Sequence, residues 1–122
     1  MLFVLVTIRY QTVVETPEFI KQANLCMDEE SKEAFIDYIA KNPLAGELIP
    51  RTGGARKIRW TSDSNQGKRG GSRVIYYFHD EDMPIFLFTA YAKNQKDNLM
   101  ASEENALKFI IKQLVASYKR PS

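Results

Sequence analysis

The sequence predicts an α+β domain: a helix pair, then a run of three strands, then a final helix. Three observations carry that expectation. Apolar residues recur at helical spacing over 17–41 and after Ser102, but alternate or run continuously over 55–60, 73–79 and 85–91. Helices and strands come in blocks rather than in βαβ alternation, which favours segregated layers. Breakers stand at the joints, among them Thr16-Pro17, Asn42-Pro43, Gly53-Gly54 and Gly70-Gly71. At 122 residues the chain has the length of one domain, 1–122.

The leading LFVLVTI stretch is about seven residues long, too short for a membrane span of roughly twenty. It lacks the basic flank and small-residue cleavage site of a secretory leader. Residues 1–9 therefore read as an extra strand or an N-terminal extension. Val13–Glu15 reads as the end of a strand. Thr16 then caps a helix with Pro17 at its first position, where a missing N–H loses nothing. Phe19, Ile20, Ala23 and Met27 form its apolar stripe. Asp28 caps a second helix running to about Lys41, with Ala34, Phe35, Tyr38 and Ile39 as its stripe. Asn42-Pro43 stops it. The two form a helix hairpin covering one face of the sheet.

Leu44–Gly54 reads as a loop. In Ala55–Trp60, Ile58 and Trp60 point one way and Lys57 and Arg59 the other, so one face is core and the other basic. Thr61–Gly71 is a polar connection carrying Lys68 and Arg69. Arg73–His79 and Ile85–Tyr91 are almost continuously apolar, as expected of strands covered on both faces. With the basic strand they should form an antiparallel meander. The whole sheet is expected to be antiparallel with about four strands. Asp80, Glu81 and Asp82 read as a solvated turn. Ser102 is the expected cap of the last helix, with Ala106, Phe109, Ile110 and Leu114 as its leading stripe and Leu107, Ile111 and Val115 widening it. Packing on the sheet is its expected role.

Charge is distributed unevenly. Residues 1–50 hold four cations against eight acids, and residues 80–122 six against six. Between them, residues 51–79 hold seven cations (Arg51, Arg56, Lys57, Arg59, Lys68, Arg69, Arg73) against one acid, Asp63. Cations fixed on strands are what a phosphate backbone requires, so this segment points to a polyanionic partner. The single cysteine, Cys26, excludes an internal disulfide and suits a reducing cytoplasm. With His79 the sole histidine, no Cys/His set exists for zinc, and no metal or other cofactor is expected. Nucleophile elbows and Gly-rich nucleotide loops are absent.

RNA cleavage can work with such a set. RNA carries its own nucleophile, the 2′-hydroxyl; an enzyme must align it, move two protons and neutralise charge on the phosphate. Arginines suit the last task, a lysine crowded by cations can exchange protons, and tyrosine can donate a proton or stack on a base. Lys57, Arg59, Lys68, Arg69, Arg73, Tyr76, Tyr91 and Lys93 are the residues available. His79, beside acids at a strand's far end, reads as structural. The same basic face can also bind RNA without cutting it.

TGGARKIRW, GKRGGSRVIYYF and the strand end TAYAKN resemble the HigB branch of the RelE/ParE superfamily of bacterial toxins, over about Val13 to Val115. The resemblance implies the compact RelE-like fold. It implies an mRNA interferase that cuts message in the ribosomal A site and so inhibits translation. It also implies a HigA-like helix-turn-helix antitoxin as partner, with operator DNA bound only through the toxin–antitoxin complex. Position by position, Lys57 and Arg59 match the basic pair on the strand after the glycine loop, and Arg73 the arginine opening the next strand. Lys93, beyond Tyr91, lies where such toxins carry further basic residues. The implied catalytic set is Lys57, Arg59, Arg73, Tyr91 and Lys93; Arg56, Lys68, Arg69 and Tyr76 are the expected RNA or ribosome contacts. The arginine expected beside Lys93 is Asn94, and Asn98-Leu99-Met100 stands where the late tyrosine of RelE would be, which leaves Tyr91 as its substitute. The rival functions are a ParE-like gyrase inhibitor and a noncatalytic RNA-binding module.

Overall fold

In the computed structural model of the chain, residues 10–61, 71–95 and 98–118 are described; the stretch 1–9 and the connection bearing Lys68 and Arg69 lie outside them. The elements are β1 (Val13–Glu15), α1 (Pro17–Cys26), α2 (Glu29–Lys41), β2 (Glu47–Leu48), β3 (Arg56–Trp60), β4 (Ser72–Tyr77), β5 (Ile85–Ala92) and α3 (Ala101–Tyr118). They build one five-stranded sheet in the order β1-β5-β4-β3-β2. The fold is α+β and consistent with a RelE-like domain.

The meander β3-β4-β5 is antiparallel, as the sequence predicts. Two strands go beyond the expectation. β1 pairs with β5 in parallel, which makes the sheet mixed. β2 is a two-residue edge strand inside the expected loop. Val13–Glu15 is a strand as read from the sequence, but its parallel pairing was not legible and neither was β2, because two or three residues carry too little pattern to set pairing or direction. The helix hairpin starts as predicted. Thr16 Oγ1 accepts from the Phe19 N–H at 3.2 Å and donates to the Leu87 carbonyl at 2.8 Å, so one side chain caps α1 and ties it to β5. Asp28 accepts from the Ser31 N–H at 2.7 Å and caps α2.

The sheet separates two apolar layers. Phe19, Ala23, Met27, Phe35 and Ile39 from the hairpin pack on Val74, Tyr76, Ile85, Leu87 and Ala90. On the other face Ile75, Tyr77, Phe86, Phe88 and Tyr91 meet Ile49, Ala55 and α3 through Leu107 and Ile111. Burial on both sides explains the near-continuous apolar runs of β4 and β5.

α3 departs from its predicted start and facing. The helix begins at Ala101 rather than after a Ser102 cap. Met100 closes its end: its N–H donates to the Glu103 carboxylate at 2.8 Å, and its carbonyl accepts from the Glu103 and Glu104 N–H groups. Ala106, Phe109 and Ile110 are exposed, and the inward stripe is Glu104, Leu107 and Ile111. A helix apolar on two flanks has no unique stripe in its sequence; a specific tertiary contact has to select one. No helix among the described residues is long and apolar enough to cross a membrane.

Candidate functional site: a basic row across the sheet

β3 alternates as its sequence requires. Ile58 and Trp60 pack toward the hairpin layer, and the Trp60 indole N–H donates to the Ser31 carbonyl at 3.1 Å. Lys57 and Arg59 therefore occupy the α3 side of the sheet. On that side strand register lines up three candidates: Arg59 stands opposite Arg73, and Arg73 stands opposite Tyr91. Lys57 lies two residues from Arg59 on the same face, opposite Ile75.

A β-bulge aims Tyr91. The β4–β5 ladder pairs Ile75 with Thr89 and then Tyr76 with Leu87, so Phe88 is an extra residue in β5. Simple alternation from Leu87, which faces the hairpin, would put Tyr91 on the hairpin side too. The inserted residue shifts the phase, and Tyr91 joins the α3 layer beside the arginines. Lys93 follows the strand, its N–H donating to the Gly71 carbonyl at 3.2 Å, which sets it at the same end of the sheet.

The row has an energetic cost. Like charges directly opposite on neighbouring strands destabilise a sheet, by roughly 0.2–1 kcal/mol. Arg73 is only partly exposed, and its Nε is buried with no hydrogen-bond partner among the described residues. Costs of this kind are characteristic of sites built for a ligand rather than for stability.

Next to the row lies a cleft of about 290 Å³, lined in part by Lys57, Tyr91, Arg51, Leu99 and Glu104. Sequence reasoning missed its acidic member. Glu104 sits in the first turn of α3 with its side chain 11% exposed, and Arg51 holds it with two bonds, Nε to Oε1 at 3.0 Å and Nη2 to Oε2 at 3.2 Å. The pairing raises the Arg51 guanidinium pKa above its ordinary value, through the hydrogen bonds first and the carboxylate charge second. Fifty-three residues separate the two, and no local pattern announces such a contact. Glu47, which the sequence places in a loop, stands opposite Lys57 in register.

Two candidates do not join the site. Tyr76 was an expected RNA contact; its ring is fully buried on the hairpin side, and its hydroxyl donates to the Pro43 carbonyl and accepts from the Gly46 N–H, both at 2.8 Å. A ring with no exposed surface cannot stack on a base. Burial pushes its phenol pKa up, against the opposing effect of the Gly46 bond. Arg56 also leaves the row: Nη1 donates to the Gly46 carbonyl at 2.7 Å, bracing the loop before β2. Gly46 is required there, since a Cβ would come within 2.8 Å of the Lys57 carbonyl and the Tyr76 ring. Lys68 and Arg69 lie outside the described residues. His79 accepts or donates at 2.9 Å with the Tyr77 hydroxyl, at the end of β4 remote from Arg73. Among the described residues no group of three or more His, Cys, Asp and Glu could hold a metal ion.

The fold and site together define a small α+β protein whose mixed sheet carries a cationic row beside a cleft. The family model described as the RelE toxin of the RelE / RelB toxin-antitoxin system matches residues 51–120, which contain the whole row and the cleft apart from Ile49 and Pro50. The chain belongs to this RelE toxin family of toxin–antitoxin systems, a membership that implies an antitoxin as partner.

Proposed function

We propose that the chain is a HigB-type, ribosome-dependent mRNA endonuclease that stops translation in the cytoplasm by cutting message in the A site. The observation that carries this reading is the alignment of Arg59, Arg73 and Tyr91 in one cross-strand row, with Lys57 beside it on the same face. Arg59 and Arg73 hold the scissile phosphate and neutralise the charge that builds on its oxygens. The 2′-hydroxyl of the preceding nucleotide attacks phosphorus; the P–O5′ bond breaks as the 2′-O–P bond forms, giving a 2′,3′-cyclic phosphate and a free 5′-hydroxyl. One proton leaves the 2′-oxygen and one reaches the departing 5′-oxygen, transfers assigned to Lys57 and Lys93. Tyr91, buried in the α3 layer, forms part of the cleft wall beside Lys57 and shapes the seat of the nucleotide. Lys68 and Arg69 contact message or ribosomal RNA backbone, and a HigA-like helix-turn-helix antitoxin both restrains the toxin and carries it to operator DNA.

The test is a reconstituted bacterial translation reaction in which message 5′ ends are mapped with and without ribosomes. The parent should cut only translated message, and Lys57→Ala and Arg73→Ala should abolish the cuts. Intact message and unaffected translation would remove the nuclease reading and direct the search to gyrase supercoiling.

A further inference from the structure

Arg51 takes no part in the row, yet two features set it apart from an ordinary surface arginine. Its backbone has φ 65°, the one described non-glycine residue with positive φ. That conformation is uncommon outside glycine and asparagine, and it is costly to keep. Its side chain is 71% exposed but fixed, because Glu104 grips the Nε and Nη2 edge. The turn around it is rigid as well: Thr52 is fully buried, donates to the Ile49 carbonyl at 2.7 Å and accepts from the Ala55 N–H at 3.0 Å.

Net stability alone does not call for this arrangement. Arg51 keeps the buried Glu104 carboxylate partnered, but an ion pair with one partner so exposed adds little net stability, and glycine would meet the backbone requirement without strain. What the arrangement achieves is placement. Two of the five guanidinium N–H donors are used on Glu104, and the others remain on the outer edge. Arg51 and Glu104 line the same cleft as Lys57 and Tyr91. A guanidinium already held in position loses little side-chain freedom when an anion binds, and its planar fork fits two phosphate oxygens.

We infer that Arg51 is a second phosphate-binding residue, taking a message-backbone phosphate next to the one held by the row, and that Glu104 is the residue that positions it. The inference rests on the reading of the basic face as an RNA surface. It adds a contact that binds substrate rather than one that acts on the reacting phosphate.

The test measures binding and cutting separately. The binding probe is a fluorescent single-stranded oligoribonucleotide with one 2′-deoxy sugar at the cleavage position, titrated by anisotropy at several salt concentrations. Arg51→Gly removes the guanidinium and suits the positive φ. It should weaken binding about tenfold and reduce the slope of log K against log salt by about 0.7, the value for one phosphate contact on a single strand. Glu104→Gln, which keeps the guanidinium but loosens its hold, should weaken binding about threefold with a smaller change in slope. If Arg51→Gly fails to fold once the buried carboxylate is left alone, the double variant Arg51→Gly/Glu104→Gln removes that charge and should show the full tenfold loss. Unchanged affinity and slope in a folded Arg51→Gly or double variant would overturn the inference, as would a parent that does not bind the probe. Cutting of translated message is scored in parallel. A parent that binds through Arg51 but leaves message intact would sink the nuclease reading while the phosphate contact stands.

Discussion

Arg56 and Arg59 sit on the same strand, three residues apart, and have opposite fates. Arg56 turns toward the β2 edge and spends its guanidinium on the Gly46 carbonyl. Arg59 is exposed on the α3 side and stands opposite another arginine. The two tyrosines are both buried but on opposite faces: Tyr76 lies in the hairpin layer with its hydroxyl satisfied twice, and Tyr91 lies in the α3 layer on the wall of the cleft. One face of the sheet is given over to packing against the helix hairpin. The other carries opposed cations and an Arg73 Nε that is buried with no hydrogen-bond partner among the described residues. Residue type does not decide the role here; the face on which the residue lands does.

That contrast can be broken experimentally, beginning where the effect should be largest. Phe19 is fully buried under the sheet. Phe19→Ala should cost about 3–5 kcal/mol of stability by urea denaturation, while the cutting rate per folded molecule stays at the parent value. A large loss of rate in the folded fraction would mean that the two faces are coupled. Arg73→Ala should do the reverse, removing about 2–4 kcal/mol of transition-state stabilisation, roughly a 30- to 1,000-fold drop in single-turnover cutting on programmed ribosomes. Its thermal midpoint should hold or rise, because the opposed pair is relieved. If it cuts as fast as the parent, Arg73 does not hold the phosphate.

Tyr76→Phe tests the hairpin face at a finer scale. It leaves the Gly46 N–H and the Pro43 carbonyl without their partner, and should lower stability by about 1–3 kcal/mol with cutting unaffected. A pH dependence follows from the raised phenol pKa. The neutral phenol's contribution is fully present below about pH 10, the ordinary tyrosine value, and is lost as pH rises through the raised folded value. The stability gap between parent and Tyr76→Phe should therefore narrow in strongly alkaline buffer. A gap that widened there would contradict a buried neutral phenol. The smallest difference is expected between the paired arginines. Arg59→Ala should reduce the salt dependence of RNA binding by about 0.7 in slope, and Arg56→Ala should leave it unchanged. Equal changes would show that Arg56 also reaches the backbone.

Local chemistry was enough to read much of the fold from the chain. Thr16-Pro17, Asp28 and Asn42-Pro43 mark the ends of α1 and α2 because capping depends on the nearest few residues. The alternation of Ile58 and Trp60 with Lys57 and Arg59 separates core from basic face because a strand has period two. The excess of cations over 51–79 singles out the candidate segment without any structure at all. Tertiary structure alone decided the rest. Register sets Arg59, Arg73 and Tyr91 side by side, and register is a relation between strands that no single strand encodes. The extra residue Phe88 decides which way Tyr91 faces, and continuous apolar runs hide such an insertion. The doubly apolar α3 left its own rotation open until Leu107 and Ile111 were buried against the sheet. Short-range hydrogen bonding and periodicity are written along the chain, whereas pairing across strands and between distant charges exists only once the chain has closed on itself.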